Sequence, residues 1–386
     1  MSLSVTSFTP AFATHSASWT FMVYMAADNN LDPAALDDIN EMETVGSTAD
    51  VNILVLLDRW DEEALTGSWI YYIEHDEDPE NVTSPIVEDL GEVNTGDPET
   101  LTYFVNYCIE EYPADNYGLV LWDHGHGWFG VCWDWTSEDK LTPDEIQTAL
   151  LKTPGVNLIG FDACLMSMLE IGYELRQSAN VMVASEAYEP WDGWPYDMVL
   201  KDLVNNPDWT AEELGMKIVD DYIESYNISS LVRPIVTMAV INLSEIPGLT
   251  GMVDELSVFL LNNLDEYYGA ITGAKNHADR YPTITWGPPA SFVDFYHAID
   301  LLGTNKDLKP YADKILGTWE NVVIATKTYG QLHREATGLT IYFPRNAQHQ
   351  YYPEEYKVGL DFATDTHWDE LLVAYFEAMA FQGKPQ

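Results

Sequence analysis

An α/β sandwich on a mostly parallel sheet is the fold class this sequence predicts. Short apolar runs alternate with helical patterns over residues 19–200, as in repeated strand–helix units. The runs are continuous rather than alternating, so both faces of their sheet should be covered. Two of them, Tyr117–Trp122 and Val156–Phe161, lead into residues that can carry chemistry, His124 and Cys164. Forty residues separate these two (164 − 124 = 40), enough for one crossover between parallel neighbours.

Taken in order, Trp19–Ala26 (WTFMVYMA) reads as a buried strand. Asp32 can cap a following helix with Pro33 in its first turn, and Leu36, Ile39 and Met42 form the apolar stripe. Val51–Leu57 is the next strand. Trp69–Glu74 and Ser84–Glu88 read as a peripheral hairpin, and Leu101–Glu111 as a helix before Pro113. After the His124 strand come a polar loop over 132–142, a helix over 143–151, the Cys164 strand with a helix directly behind it, and a strand over 180–186. Beyond a soft boundary at Asn205-Asn206-Pro207, helices are expected over 211–228, 249–268, 291–302, 313–325 and 368–381, and strands over 235–241 and 338–343. The division expected is a lead or trimmed signal remnant (1–17, with Ala11-Phe12-Ala13 like a cleavage site), an α/β core (18–205) that holds His124 and Cys164, and an α-rich region packed on it (206–386).

Composition narrows the function. Of 386 residues, 46% are hydrophobic and 13% aromatic, which marks a globular chain. Against 63 Asp+Glu stand 17 Lys+Arg, a formal charge of −46. Recognition of nucleic acid or anionic membrane through a basic face is excluded on that balance; the acidity reads first as a solubility device, as for a salty environment, and second as a field that draws basic peptides or calcium to an acidic cleft. No apolar run is long enough to span a bilayer. The three cysteines, Cys108, Cys132 and Cys164, form no C-x-x-C pair, so no structural zinc site is expected. His124-Gly125-His126 has the H-x-H start of some metal sites, but Gly127-Trp128 stands where further ligands are needed.

A cysteine following a strand and opening a helix would feel the helix N-terminal field, which favours thiolate. With His124 at the same sheet edge, the pair has the parts of a nucleophile and its proton carrier. The N–H groups of Gly125 and Cys164 are the natural oxyanion donors. The structural alternative is a buried cysteine and an ordinary strand-end histidine.

The segments WTFMVYMAADNNLD (19–32), GEVNTGDPETL (91–101), YPADNYGLVLWDHGHGW (112–128), GFDACLMSMLEIGYEL (160–175), SEAYEPWDGWPYD (185–197) and GLTIYFP (338–344) resemble those of the clostripain-related cysteine peptidases, within the caspase-like superfamily. The caspase Q-A-C-x-G signature is absent; Phe161-Asp162-Ala163-Cys164-Leu165 stands in its place. The resemblance implies a caspase-like three-layer α/β/α fold and a secreted or cell-surface endopeptidase cutting after Arg or Lys through a His124/Cys164 dyad. It implies Asp162 and Asp192 as substrate-binding acids, with Glu186 and Glu189 as weaker candidates, and self-cleavage after Lys140. The structural alternatives are a backbone-capping acid at 162, a turn aspartate at 192 and a surface lysine at 140. No cofactor is required. The family is linked to calcium, but no D-x-D-x-D-G loop is present; Asp58, Asp61, Glu62, Glu63 and the stretch 75–80 are acidic without defining a site. The competing function is a catalytically silent protein of the same fold that binds basic peptides.

Overall fold

The structure, a computed structural model, describes residues 16–60, 67–229, 235–281, 292–330, 336–344 and 353–382. Its strands are β1 (Ala17–Ala27), β2 (Val51–Arg59), β3 (Gly67–Tyr72), β4 (Ile86–Gly91), β5 (Ala114–Trp122), β6 (Val131–Asp134), β7 (Asp139–Leu141), β8 (Leu158–Asp162), β9 (Val181–Ala184), β10 (Val236–Asn242), β11 (Arg280–Tyr281), β12 (Phe292–Asp294), β13 (Val323–Tyr329) and β14 (Thr340–Tyr342). Nine form the central sheet, in the order β13-β10-β9-β8-β5-β1-β2-β3-β4. The inner five, β9-β8-β5-β1-β2, are parallel. Antiparallel strands flank them: β3 and β4 on one side, β10 and β13 on the other.

The apolar runs explain the layering. In β1, Met22 and Tyr24 point into one core with the helices Pro98–Glu111, Pro143–Leu150 and Ile246–Asn262. Phe21 and Val23 point the opposite way, against the helices Asp32–Glu43, Tyr196–Asn205 and Ala211–Ser229. A two-residue period with apolar side chains on both faces is what a doubly covered strand requires.

Several expectations change in the structure. Asp32 is the first helical residue rather than the cap, and its carboxylate holds Arg59 bidentately at 2.8 Å from both Nε and Nη2. The helix expected over 313–325 ends at Leu316; a short turn at Trp319–Val322 leads into edge strand β13. Val323, Ile324 and Thr326 are β-branched and suit that edge. The pattern over 249–268 is two helices that break at Asn263. The stretch 132–142 is largely the hairpin β6–β7. Residues 205–207 interrupt nothing in the sheet, since β10 and β13 from beyond them extend it. Among the described residues no helix is long and apolar enough to cross a membrane.

Candidate active site

Strands β5 and β8 run parallel with Trp122 beside Asp162, and Asp123 N–H extends the pairing by donating to the Asp162 carbonyl at 3.2 Å. His124 and Cys164 each follow two residues later, so both emerge at the C-terminal edge of the sheet, the usual place for a site in an open α/β fold. Between them lies Gly125. A Cβ there would sit 2.4 Å from the Cys164 carbonyl oxygen and 3.0 Å from its nitrogen. The two candidate oxyanion donors therefore belong to backbones in contact, an approach only glycine permits.

The surroundings of Cys164 differ from expectation. No helix begins at this residue. The chain turns through Leu165 at φ 66°, and the helix Leu169–Leu175 opens five residues after Cys164. Met168 first bridges Thr340, which delays the helix. The thiol therefore lacks the stabilising field of a helix N-terminus. Its Sγ accepts from Glu189 N–H at 3.3 Å and lies 3.7 Å from the Glu189 carbonyl, to which S–H can donate. Burial pushes the thiol up to about 12, and the charges of Glu189, Asp162 and Asp123 push the same way. Cys164 rests as a thiol.

His124 is half-buried, and burial lowers its pKa, so it is neutral at neutral pH. Its Nε2 lies 3.0 Å from Asn30 Oδ1. An amide oxygen only accepts, so as placed this contact sets the Nε2–H tautomer and leaves Nδ1 as the basic nitrogen. Asn30 was not singled out in the sequence. The signal was available: β1 lies beside β5, so residues just past its end reach the same edge. Asn29 serves there too, donating to Asp123 Oδ1 at 2.8 Å and to the Trp133 carbonyl at 2.9 Å. His126 is buried, edge-on to Phe129 and Phe292.

Below the pair opens a cleft of about 310 Å³ whose lining includes His124, Cys164, Asp162, Tyr188, Glu189 and Trp191. Asp162 is buried at the end of β8, and its Oδ2 accepts from Trp194 N–H at 3.2 Å and Tyr196 O–H at 2.9 Å. Burial raises it to about 6, while those donors and Glu189 hold it down. Both carboxyl oxygens of Glu189 are sealed from solvent. Burial, then the charge of Asp162, raises Glu189 well above the ordinary carboxylate range. Burial thus disfavours charge on both acids, and on Glu189 more than on Asp162. Asp192 is exposed, and the cleft's lining passes from Trp191 to Gly193 without it. Glu186 is buried elsewhere, accepting from Gly338 N–H at 2.7 Å.

Lys140 is not in a free loop. It lies in β7 opposite Trp133, with its ammonium 4.7 Å from the Phe129 ring centre and 5.1 Å from that of Trp133. Leu141, next in the chain, is fully buried. Of the acidic stretches weighed for calcium, Asp61, Glu62 and Glu63 lie outside the described residues, and Asp58 is buried.

The sequence profile of the clostripain family of peptidases matches residues 23–375. The chain belongs to that family. It is 30% identical over 316 residues to clostripain of Hathewaya histolytica, a match covering 67% of this chain; the chain spans about 60% of that relative's length. Two solved structures have the same caspase-like fold. One is a secreted C11 cysteine protease of Bacteroides thetaiotaomicron in complex with an irreversible peptide inhibitor (TM-score 0.71, 21% identity, 91% of this chain and 99% of that one). The other is an inactive zymogen of a C11 protease from Parabacteroides distasonis (TM-score 0.70, 22% identity, 92% and 99%).

Proposed function

We propose that this clostripain-family chain is a secreted cysteine endopeptidase that cleaves after Arg or Lys. The observation that carries the reading is a neutral Cys164/His124 edge above a buried acid pair, Asp162 and Glu189, in one cleft. The names of the relatives support peptidase chemistry, and the Bacteroides neighbour is itself described as secreted.

The cationic side chain of the residue before the scissile bond enters the cleft and meets the acid pair. Sγ of Cys164 attacks the scissile carbonyl carbon as its proton passes to His124, forming a C–S bond and an oxyanion. The N–H groups of Gly125 and Cys164 face that oxyanion. Collapse breaks the C–N bond, and His124 gives its proton to the leaving amine. Water then hydrolyses the thioester, losing a proton to His124 and restoring the thiol. The sequence balances without a cofactor.

Cleavage after Lys140 is part of the same proposal and would leave His124 and Cys164 on separate fragments. Those fragments stay together because β5 and β8 share five residue pairs in the buried sheet. The test is a panel of reporter peptides with Arg, Lys, Leu or Asp before the scissile bond, combined with a basic, thiol-reactive peptide. Turnover of Arg and Lys reporters alone, with the label on Cys164, is expected. A protein that binds the basic peptides but neither cleaves them nor takes the label would be a silent binder and would overturn the reading.

A further inference from the structure

The turn that follows Glu189 forms one wall of the cleft. Gly193 sits in it at φ 52°, in the left-handed region, and lines the cleft together with Asp162, Glu189 and Trp191. Three hydrogen bonds pin it. Gly193 N–H donates to the Pro190 carbonyl at 3.1 Å, which closes the turn. The Gly193 carbonyl accepts from Tyr226 O–H at 2.9 Å, a buried side chain on the helix Ala211–Ser229. The next N–H, of Trp194, donates to Asp162 Oδ2 at 3.2 Å.

A Cβ at residue 193 would lie 3.0 Å from Asp162 Oδ1, 3.1 Å from Oδ2 and 3.4 Å from Cγ. Being nearer to both oxygens than to the carbon they share, it would stand in front of the carboxylate, on the side where a cation meets one. Contacts this short require a neighbour to move. Asp162 resists moving, because Oδ2 also accepts from Tyr196 O–H at 2.9 Å and the Asp162 carbonyl accepts from Asp123 N–H at 3.2 Å. The turn cannot retreat without losing one of its three hydrogen bonds. A hydrogen atom at this position leaves the front of the carboxylate open to the cleft, and any side chain would close it.

Two demands therefore fall on residue 193. The left-handed backbone admits glycine and, at small cost, asparagine or aspartate. The space before Asp162 admits glycine alone. The first demand is structural and belongs to the turn. We infer that the second makes Gly193 a specificity-determining residue: its bare Cα is the opening through which a lysine or arginine side chain of the substrate reaches the Asp162 carboxylate. This role rests on the proposed function, in which Asp162 meets the basic side chain. It adds that the carboxylate's charge is of no use to the enzyme once residue 193 bears a Cβ.

The experiment compares kcat/KM for matched Arg, Lys and Leu reporters in wild type, Gly193→Ala, Gly193→Asn, Asp162→Asn and the double variant Asp162→Asn/Gly193→Ala. The ratio of basic to Leu turnover is the readout, because it does not depend on the fraction of molecules that are folded or active. Where the Leu reporter turns over too slowly, labelling of Cys164 by a basic thiol-reactive peptide, relative to labelling by neutral iodoacetamide, gives the same ratio. Both Gly193 variants are expected to lower it about tenfold or more. Asparagine, which suits the left-handed backbone, should recover thermal stability relative to alanine but not the ratio. In the Asp162→Asn background Gly193→Ala should change the ratio by less than about twofold, since the group it blocks has already lost its charge. A parental ratio in Gly193→Asn, equal losses on all reporters, or losses that multiply in the double variant would overturn the role of Gly193 and leave the proposed function in place. A wild type with no preference for basic reporters would refute the proposed function, and this role with it.

Discussion

Replacing Asp162 by Asn probes the specificity argument most directly. The substitution keeps the size of the side chain and an oxygen that can accept from Trp194 N–H and Tyr196 O–H, now 3.2 and 2.9 Å from Oδ2. It removes the charge that the pair with Glu189 presents to the cleft. A hydrogen bond to a charged group contributes about 1.5–3 kcal/mol, and each 1.36 kcal/mol is a factor of ten in rate. The expected loss is about 10- to 150-fold in kcat/KM for Arg and Lys reporters. Any slow background on a Leu reporter should hold or rise, because losing the Asp162 charge also lowers the Cys164 pKa. Because Asp162 titrates near 6, wild-type preference for basic reporters should fade as the pH drops through that value, and the Asn variant should lack this step. The assay is kcat/KM for matched Arg and Leu reporters between pH 5 and 8. An equal loss on both reporters would refute the charge argument and reduce Asp162 to a structural role. Asp192→Asn should cost much less, because its carboxylate is exposed and exposed ion pairs contribute about 0–1 kcal/mol.

Other outcomes follow from the same geometry. Cys164→Ala should abolish turnover, while Cys108→Ala and Cys132→Ala, whose thiols are buried, should lose stability but keep turnover; wild-type-like cleavage by Cys164→Ala would overturn the nucleophile assignment. Asn30→Ala should lower kcat several-fold with little change in KM, because it frees the His124 ring without touching the pocket; stopped assays at saturating substrate would show this. Wild type should yield a fragment beginning at Leu141 that Cys164→Ala does not, and Phe129→Ala should speed its appearance by loosening the Lys140 side chain; mass spectrometry over time decides. The protein should be more stable at pH 5.5 than at pH 8. Glu41 and Glu170 are raised to about 7 and Glu174 to about 8, chiefly by burial. The folded state therefore holds protons the unfolded chain has lost, and stability falls as pH rises through this window. Denaturant midpoints at the two pH values provide the check.

The parallel core was legible because fully buried strands announce themselves as continuous apolar runs: WTFMVYMA and VNILVLL became β1 and β2. The juxtaposition of His124 and Cys164 followed from one inference, that their strands are parallel neighbours. What stayed hidden depends on contacts remote in sequence. The delay of the helix behind Cys164 is set partly by pairing with Thr340, and local propensity carries no trace of it. Lys140 looked free because its loop is polar, yet the aromatic rings that cover it come from Phe129 and Trp133. Edge strand β13 was hidden because its register is fixed by β10, far away in the chain. Asp192 is different: Asp-Gly already reads as a turn, and Gly193 takes φ 52° there.

The resting state of the pair poses a chemical question that the cleft itself addresses. Cys164 is held as a thiol first by burial and then by the negative charge of Glu189, Asp162 and Asp123 around it. A cationic side chain seated against Asp162 offsets part of that charge within the same low-dielectric space, where charge interactions are strongest. Its arrival therefore lowers the thiol pKa at the moment a scissile bond is presented. Under the proposed function specificity and activation are one event, and a basic residue should raise kcat as well as lower KM. Glu189 is placed to transmit the effect, since its backbone N–H and carbonyl both meet Sγ while its carboxyl adjoins Asp162. A small guanidinium ion added with a Leu reporter should then stimulate its cleavage in wild type and fail to do so in Asp162→Asn. Stimulation of equal size in both proteins would place the activating charge elsewhere.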